Sequence, residues 1–385
     1  MADILRKEVA DGARTIVVKV GTRVVTGDSG YLDDGHIARL AEQINELVSQ
    51  GRRVVLVSSG AVGAGMSELG LDERPTDLAR LQAVAAVGQA KLIEAYDRTF
   101  RQHGRHAAQV LLTAQDLDDR ASYLNVRNTL FSLMEFKAIP VINENDTVAV
   151  DELMTTFGDN DRLAALVTNM LGAELLVILS DVDGLYDGDP GSEATDVVRL
   201  VSEWNEEVRG FASTVWEGPG RGGMVSKLEA AEIVTTAGEQ VIIASGHEEN
   251  VLSRIIEGET LGTLFVSQGK ALSSRKKWLR FSAQSRGRLH VDEGAHRAIR
   301  DEGSSLLAIG ITRVEGDFDK GGVVEICEPD GREFARGLSN YDAEAVTRIQ
   351  GMQSDRIPEI LGHQPYEEVV HRDNLARLEM DGGES

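Results

Sequence analysis

Short apolar runs alternate with longer amphipathic segments over the first two-thirds of the chain. The apolar runs predict β-strands at residues 15–20, 54–57, 107–112, 138–142, 174–179, 240–244 and 263–266. Apolar positions at helical spacing predict helices at residues 34–50, 76–103, 119–137, 162–171 and 226–236. Because helices and strands alternate, we expect the α/β class, with a mostly parallel sheet between two layers of helices.

The hydrophobic pattern changes after residue 288. Short runs at residues 306–309 and 323–327, separated by turns, predict a small β-rich domain. The preceding segment, residues 274–288, holds six basic residues and no acidic residue, which marks a boundary in so acidic a chain. We therefore divide the chain into an α/β domain (1–270), a basic linker (271–284), a β-rich domain (285–373) and a tail (374–385).

Composition narrows the classes of function. The 385 residues carry a net charge of −23, which argues against a surface devoted to nucleic acid or to membranes. No apolar run approaches the ~18 residues that span a bilayer, and the amino terminus lacks a signal-peptide core, so we expect a cytoplasmic protein. One cysteine and eight scattered histidines predict no built-in metal site. An anionic substrate therefore requires lysines and arginines concentrated at its site.

A polar sequence at the end of a predicted strand is the first candidate site. The apolar run 138–142 ends in Asn-Glu-Asn-Asp (143–146), and Asp-Asn-Asp (159–161) repeats this chemistry just before a predicted helix. Ligands bind at the carboxyl ends of strands in open α/β sheets, and polar side chains buried there need partners. The alternative is a polar turn in which Asp159 or Asn160 caps the helix.

Three further features are candidate anion sites. Lys19 lies within an otherwise apolar strand, and it either points to solvent at a sheet edge or is held at the end of a central strand. The small-residue turn 58–65 exposes backbone N–H groups, although tight packing of a strand on a helix also explains it. The glycine-rich segment 218–223 is either a flexible loop or a phosphate site. It precedes a helix that Ser226 and Glu229 are expected to start as a capping box.

Read together, these motifs resemble the amino acid kinase family over about residues 14–373. The matching segments are residues 18–22, 58–61, 141–146, 157–161, 180–186 and 222–227. Residues 291–295, 304–307, 337–341 and 370–373 resemble the PUA domain that some members carry. The two acidic and amide motifs resemble the branch that phosphorylates the γ-carboxylate of glutamate, the first step of proline synthesis. The resemblance implies an amino acid kinase fold followed by a PUA domain.

The resemblance also implies a role for each matching residue. Lys19 and Lys227 would neutralise charge on the transferring phosphoryl group, and Asp161 would orient both lysines. Glutamate would be held by Ser59, Asp146 and Asn160. ATP, bringing Mg²⁺ with it, would be held by Lys19, Ser180, Asp181, Arg221, Gly222, Gly223, Met224, Val225, Ser226 and Lys227. No general base is required, because a γ-carboxylate is already ionised near neutral pH.

Partners follow from the same resemblance. Proline is expected to compete with glutamate, with residues 148–157 acting as a mobile lid. The family assembles as dimers or tetramers, and the product could pass directly to glutamate-5-semialdehyde dehydrogenase. Two positions depart from the family pattern: Thr156, where a basic residue is common, and Arg221, where threonine is common.

Two alternative functions stay open at this point. The first is a kinase of the same fold that acts on a different small acid. The second is an RNA-binding protein in which the PUA domain and the basic residues between 275 and 288 contact RNA while the kinase-like part is vestigial. Against the second alternative, aromatic residues make up only 5% of the chain, and the kinase motif positions hold competent residues.

Overall fold

The computed structural model describes residues 2–27, 30–148, 160–189, 195–213, 221–267, 274–281, 283–362 and 366–378. The chain forms two compact units. The first comprises Met1–Leu117 and Ala121–Ala271, and the second comprises Asp118–Arg120 and Leu272–Ser385. Each unit has its own cluster of buried apolar side chains. None of the described helices is long and apolar enough to cross a membrane.

An eight-stranded sheet forms the centre of the first unit. Its strands are β1 (Thr15–Val20), β2 (Arg53–Ser58), β3 (Ala107–Leu112), β4 (Ile139–Glu144), β5 (Leu175–Ser180), β6 (Leu200–Val201), β7 (Gln240–Ser245) and β8 (Thr263–Phe265). Their order is β3-β4-β2-β1-β5-β7-β8-β6, and among these described strands only the β7–β8 pair is antiparallel. The predicted mostly parallel sheet is confirmed.

Helices pack on both faces of this sheet. Up to residue 256 they are α1 (Ala2–Gly12), α2 (Thr22–Thr26), α3 (Asp34–Ser49), α4 (Ala61–Leu69), α5 (Leu78–Gln102), α6 (Ala114–Asp118), α7 (Arg120–Glu135), α8 (Asn160–Leu171), α9 (Glu206–Ser213), α10 (Arg221–Thr236) and α11 (Val251–Ile256). Every residue of β1 and of β5 is buried. Burial on both faces explains why these strands are continuous apolar runs rather than alternating ones.

The sequence patterns do not predict helix α1 or the two-residue strand β6. Arg6 of α1 links these elements to the sheet edge, since its guanidinium donates to the carbonyl oxygens of Arg199 at 2.8 Å, Leu261 at 2.6 Å and Gly262 at 2.9 Å. Only 2% of Arg6 is exposed. Hydrogen bonds between residues so far apart in the chain leave no local signal, so pattern reading misses them.

Helices α4 and α5 approach each other through two glycines. A Cβ at Gly65 would overlap the carbonyl oxygen of Val84, and a Cβ at Gly88 would overlap that of Ala61. The small-residue turn predicted at residues 58–65 is therefore largely the start of α4, and its small residues permit a close helix–helix contact. Helix α5 starts one residue later than a cap at Thr76 would place it, because Asp77 caps the helix.

The second unit is rich in β-structure, as predicted. Its strands are β9 (Gly287–Val291), β10 (Leu306–Leu307), β11 (Ile311–Gly316), β12 (Val323–Cys327), β13 (Glu333–Leu338), β14 (Glu368–Val370) and β15 (Leu375–Arg377). Five of them form a sheet in the order β11-β9-β12-β13-β15, while β10 pairs with β14. The accompanying helices are α12 (Ser274–Phe281), α13 (Glu293–Glu302), α14 (Ala343–Ile349) and α15 (Ile357–Leu361).

Helix α12 occupies much of the segment interpreted above as a basic linker. It belongs to the second unit, and its Trp278 and Leu279 are buried there. Arg280 donates a hydrogen bond to the carbonyl oxygen of Leu378. The described part of the segment is thus a packed helix held by two buried apolar residues, Trp278 and Leu279.

Candidate active site

Lys19 lies on a central strand of the first unit, and only 2% of its side chain is exposed. Strand β1 pairs with β2 on one side and β5 on the other, so the alternative of an edge lysine facing solvent is wrong. The Lys19 ammonium group lies 2.7 Å from Asp161 Oδ1. A buried ammonium group needs a compensating charge, and the start of α8 supplies it.

Lys227 reaches the same carboxylate from α10. Its Nζ lies 3.1 Å from Asp161 Oδ2 and donates to the Gly223 carbonyl oxygen at 3.0 Å. Asp161 itself is fully buried. Two ammonium groups around one carboxylate leave a formal excess of one positive charge. In a poorly solvated environment such an excess attracts an anion strongly.

Helix α10 begins earlier than the sequence predicts. Ser226 and Glu229 were expected to form a capping box, but the helix starts at Arg221 and its first turns contain Gly222, Gly223, Met224 and Val225. The Ser226 hydroxyl donates to Asp161 Oδ2 at 3.4 Å instead of capping the helix. The Ser-x-x-Glu spacing also fits a helix interior, and the distant partner Asp161 leaves no trace in local spacing.

Asn160 connects three elements on the other side of β1. Its Nδ2 donates to Asn143 Oδ1 at 2.9 Å and to Ser59 Oγ at 3.0 Å. Asn143, at the end of β4, in turn donates to Gln89 Oε1 on α5 at 2.8 Å. Asn160 Oδ1 is buried and accepts no hydrogen bond from the described residues. An unpaired buried acceptor is costly, so a ligand that donates to this oxygen gains affinity.

Asp146 lies just beyond the end of β4, on the wall of a cavity. Burial raises the pKa of its carboxyl group to about 6, although the nearby Arg74 acts in the opposite direction. A carboxylate that burial destabilises is stabilised again when an ammonium group pairs with it. Asp146 is therefore suited to the α-amino group of an amino acid.

The cavity has a volume of about 1150 Å³ and follows the carboxyl ends of the parallel strands. Its lining includes Ser59, Asn160, Asp146 and Asp181, together with residues 60–63 at the start of α4. The N–H groups at a helix start favour anions. The three residues predicted for the small acid therefore line one cavity, and Asp181 is the residue predicted for the nucleotide that reaches the same cavity.

Asp181 follows β5 at the same edge of the sheet. The Ser180 hydroxyl donates to its Oδ1 at 3.1 Å, and the Arg23 guanidinium lies 2.7 Å from its Oδ2. Burial alone would raise the pKa of Asp181. Hydrogen bonds from Arg23, from its own backbone N–H and from Ser180 outweigh burial and hold that pKa below its usual value. Asp181 is thus an ionised acceptor at the predicted nucleotide end.

The structure brings the predicted residues into two groups. Lys19, Asp161, Ser226 and Lys227 form a charged cluster, while Ser59, Asp146 and Asn160 surround the cavity. Asp159, Thr156 and nearly all of the predicted lid lie outside the described residues, and Arg221 and Gly222 are described only through their backbone. Sequence reading gave no role of their own to Arg23, Gln89 and Asn143. Only Asn143 carried a signal, as the first polar residue after a buried strand.

Comparison with known proteins places this geometry in a family. The amino acid kinase family model matches residues 14–245, and the PUA domain model matches residues 287–361. The chain belongs to the amino acid kinase family and is a kinase with an added PUA domain.

Curated relatives extend the match to nearly the whole chain. The glutamate 5-kinase of Rhodopirellula baltica is 50% identical over 96% of this chain and 95% of its own length. Those of Thermoanaerobacter sp. and Geobacter sp. are each 46% identical, over 94% and 97% of this chain and 98% and 100% of their own lengths. The resemblance drawn from the sequence motifs is confirmed.

Proposed function

We propose that this kinase transfers the γ-phosphoryl group of ATP to the γ-carboxylate of L-glutamate, the reaction for which its relatives are named. The products are L-glutamyl 5-phosphate and ADP, and the step opens proline biosynthesis. The observation that carries the proposal is the pair of lysines converging on the buried Asp161 beside a cavity lined with amides.

The charges of the reactants define the task of the site. A γ-carboxylate oxygen attacks the γ-phosphorus while the bond to the ADP oxygen breaks, and negative charge spreads over the transferring group. Lys19 and Lys227 supply preorganised positive charge, and Asp161 fixes the position of both. Because both lysines are nearly buried, the phosphoryl group must replace part of their contact with Asp161.

We assign the nucleotide to Ser180, Asp181 and the first turns of α10. Within the described residues no group of three or more His, Cys, Asp or Glu side chains is arranged for a metal ion. Mg²⁺ would therefore be carried mainly by the triphosphate, with the ionised Asp181 as the candidate protein ligand in exchange for Arg23. The bound ion supplies neutralisation of triphosphate charge.

We assign the glutamate backbone atoms to the amide side of the cavity. The α-ammonium group would pair with Asp146 and donate to the unpaired Asn160 Oδ1. The α-carboxylate would meet Ser59 and the N–H groups at the start of α4. Aspartate carries the same groups but is one methylene shorter, so its second carboxylate would fall short of the lysines.

Proline fits the same groups as a competitor of glutamate. It has an α-carboxylate and an ammonium group with two N–H donors, but no γ-carboxylate to phosphorylate. Initial rates over a grid of both amino acids test this inference, and inhibition that excess glutamate cannot overcome would contradict it. Assembly as a dimer or tetramer, channelling to glutamate-5-semialdehyde dehydrogenase and a cytoplasmic location remain predictions from the family.

An RNA-binding role receives less support from the second unit. Arg280 is engaged with the Leu378 carbonyl oxygen, and Arg288 lies 2.6 Å from the carboxylate of Glu325. Arg336 is paired with Glu333. The ion pairs of Arg288 and Arg336 reduce the charge that these two side chains offer to a phosphate backbone, and the hydrogen bond of Arg280 occupies its guanidinium.

ATP consumption with different acceptors tests the proposed function. We expect ADP formation with L-glutamate and little with L-aspartate or N-acetyl-L-glutamate, since the latter has no α-ammonium group for Asp146. Equal or faster turnover with N-acetyl-L-glutamate would identify the alternative kinase acting on a different small acid.

A further inference from the structure

We infer that Gln89 is a positioning residue of the glutamate site, acting through Asn143 to orient the amide group of Asn160. The inference rests on the proposed function and adds a residue outside the cavity wall to it. Gln89 lies on α5, is 7% exposed and accepts a hydrogen bond from Asn143 Nδ2 at 2.8 Å.

A backbone carbonyl group determines the direction of this hydrogen-bond chain. Asn160 Nδ2 lies 3.4 Å from the Ser58 carbonyl oxygen, which can only accept a hydrogen bond. The same nitrogen faces Asn143, so Asn143 must present its oxygen to Asn160 and its nitrogen to Gln89. Gln89 must then present Oε1, because its amide nitrogen would face another donor.

The orientation of Asn160 matters because it decides which of its atoms faces a ligand. With Nδ2 held by Asn143 and Ser59, Oδ1 is the atom left without a partner in the part of the chain that the structure describes. That oxygen accepts from the α-ammonium group of an amino acid. A rotated amide would present NH₂ to an ammonium group and would repel it.

The fold holds Gln89 rigidly in place. It follows Gly88 directly, and the Gly88–Ala61 contact presses α5 against α4 with no room for a side chain. Helix α4 also carries the cavity-lining residues 60–63. The helix pair thus positions both the backbone N–H groups and the amide chain against one substrate.

Substitution of Gln89 by methionine is a clean test. The Gln89 amide nitrogen has no hydrogen-bond partner among the described residues, so Gln89→Met removes only the hydrogen bond from Asn143 while keeping the length of the side chain. We expect the KM for glutamate to rise by roughly 3- to 30-fold, the worth of one buried hydrogen bond. We expect the KM for ATP to be unchanged.

Gln43 offers a matched control. It is another helical glutamine of similar burial (6% exposed), and its Oε1 also accepts one buried hydrogen bond, from the Leu252 N–H at 2.9 Å. Because Gln43 Nε2 also donates to the Arg39 carbonyl oxygen at 3.2 Å, Gln43→Met should lower the melting temperature at least as much as Gln89→Met while leaving the KM for glutamate unchanged. Equal effects of the two variants on that KM would overturn the positioning role.

A double-mutant cycle separates positioning from a general structural effect. If Gln89 acts through Asn160, Gln89→Met should change glutamate binding in the wild-type background but not in an Asn160→Ala background. Additive effects on the dissociation constant, measured by calorimetry, would overturn the inference. Absence of glutamate phosphorylation by the unmutated protein would instead refute the proposed function, so the two failures are distinguishable.

Discussion

The two sides of the site, a buried charged cluster and an amide-lined cavity, use different physical means. On one side Lys19 and Lys227 converge on Asp161, and buried formal charges dominate. On the other side Asn160, Asn143 and Gln89 form a chain of neutral amides, with Asp146 as the nearby acid. Charge acts at a distance and tolerates small displacements, whereas amide hydrogen bonds depend on orientation.

Under the proposed function, this difference would separate phosphoryl transfer from recognition of the amino acid. The charged cluster suits a transition state in which negative charge spreads over a phosphoryl group. The amide chain suits a fixed pattern of donors and acceptors on an amino acid. We therefore expect substitutions on the charged side to change kcat and substitutions on the amide side to change the KM for glutamate.

The largest effect is expected on the charged side. Lys19→Ala and Lys227→Ala should each lower kcat by roughly 10²- to 10³-fold, with smaller changes in either KM, because their charge matters most in the transition state. Steady-state kinetics at saturating ATP and glutamate measures both quantities. Lys91→Ala serves as the control, since that lysine is an exposed residue paired with Glu68 and Glu94. Unchanged kcat in a folded variant would remove that lysine from the mechanism.

The second prediction concerns the helix pair that supports the amide side. Gly88→Ala should destabilise the protein by about 2–3 kcal/mol, the typical cost of overpacking, because the added methyl group would overlap the Ala61 carbonyl oxygen. It should also raise the KM for glutamate more than that for ATP. Thermal unfolding and kinetics provide the two readouts.

Gly210 provides the control for this substitution. It lies within helix α9, and a Cβ there would meet no atom of the described residues within 4 Å. Gly210→Ala should stabilise the helix by about 0.5–1 kcal/mol. A Gly88→Ala protein as stable as the Gly210→Ala protein would show that the α4–α5 contact is not tight.

The third prediction concerns Asp146, the acidic residue on the amide side of the site. The pKa of Asp146 is raised to about 6, so its carboxylate is protonated as the pH falls through that value. The KM for glutamate should rise as the pH falls below that pKa, because only the ionised form pairs with the α-ammonium group, and it should level off near the KM of a variant with a neutral residue there. Asp146→Asn should raise this KM roughly 10- to 30-fold at pH 7.5 and remove the pH dependence.

The same shift predicts an opposite effect on stability. A carboxyl group whose pKa is raised in the folded state binds protons more tightly there than in the unfolded chain. Its contribution to stability therefore increases as the pH falls from about 6 towards the usual value of 3.8. Relative to Asp146→Asn, the wild-type protein should gain stability over that window. A parallel pH dependence in both proteins would exclude Asp146 as the titrating group.

Sequence reading recovered the charged side better than the amide side. Lys19, Asp161 and Lys227 lie within motifs whose residue types already indicate phosphate chemistry. Gln89 lies in the middle of a long helix, at a position on its buried face. Its local sequence does not indicate that a polar side chain is needed there. Its role depends on a hydrogen bond from Asn143, which is 54 residues away in the sequence. Only the three-dimensional structure shows that these two side chains meet.

The difference between local signals and long-range contacts also explains which elements of the fold were predicted. Strands β1 and β5 were predicted because a strand that is buried on both faces is apolar at nearly every position. Strand β6 and helix α1 were missed because Arg6 and the sheet edge stabilise them through long-range contacts. The start of α10 was misplaced for a related reason, since Ser226 pairs with Asp161 rather than with its own helix.

The smallest effect on function is expected at that sheet edge. Arg6→Ala should destabilise the protein by about 1–2 kcal/mol, since three carbonyl groups lose their donor. It should leave kcat and both KM values unchanged, because Arg6 contacts the edge of the sheet and does not line the cavity. Denaturant unfolding alongside kinetics checks both parts. A selective change in either KM would show that the edge is coupled to the site.

Trapping of the product tests the central claim most directly. An acyl phosphate formed at the γ-carboxylate reacts with hydroxylamine, so incubation with ATP, glutamate and hydroxylamine should give γ-glutamyl hydroxamate and ADP in equal amounts. The Lys227→Ala variant should form both products at a rate roughly 10²- to 10³-fold lower. ADP formation without hydroxamate, or hydroxamate formed from the α-carboxylate, would contradict the account. In that account the charged cluster acts in phosphoryl transfer and the amide side binds the α-amino and α-carboxylate groups of glutamate.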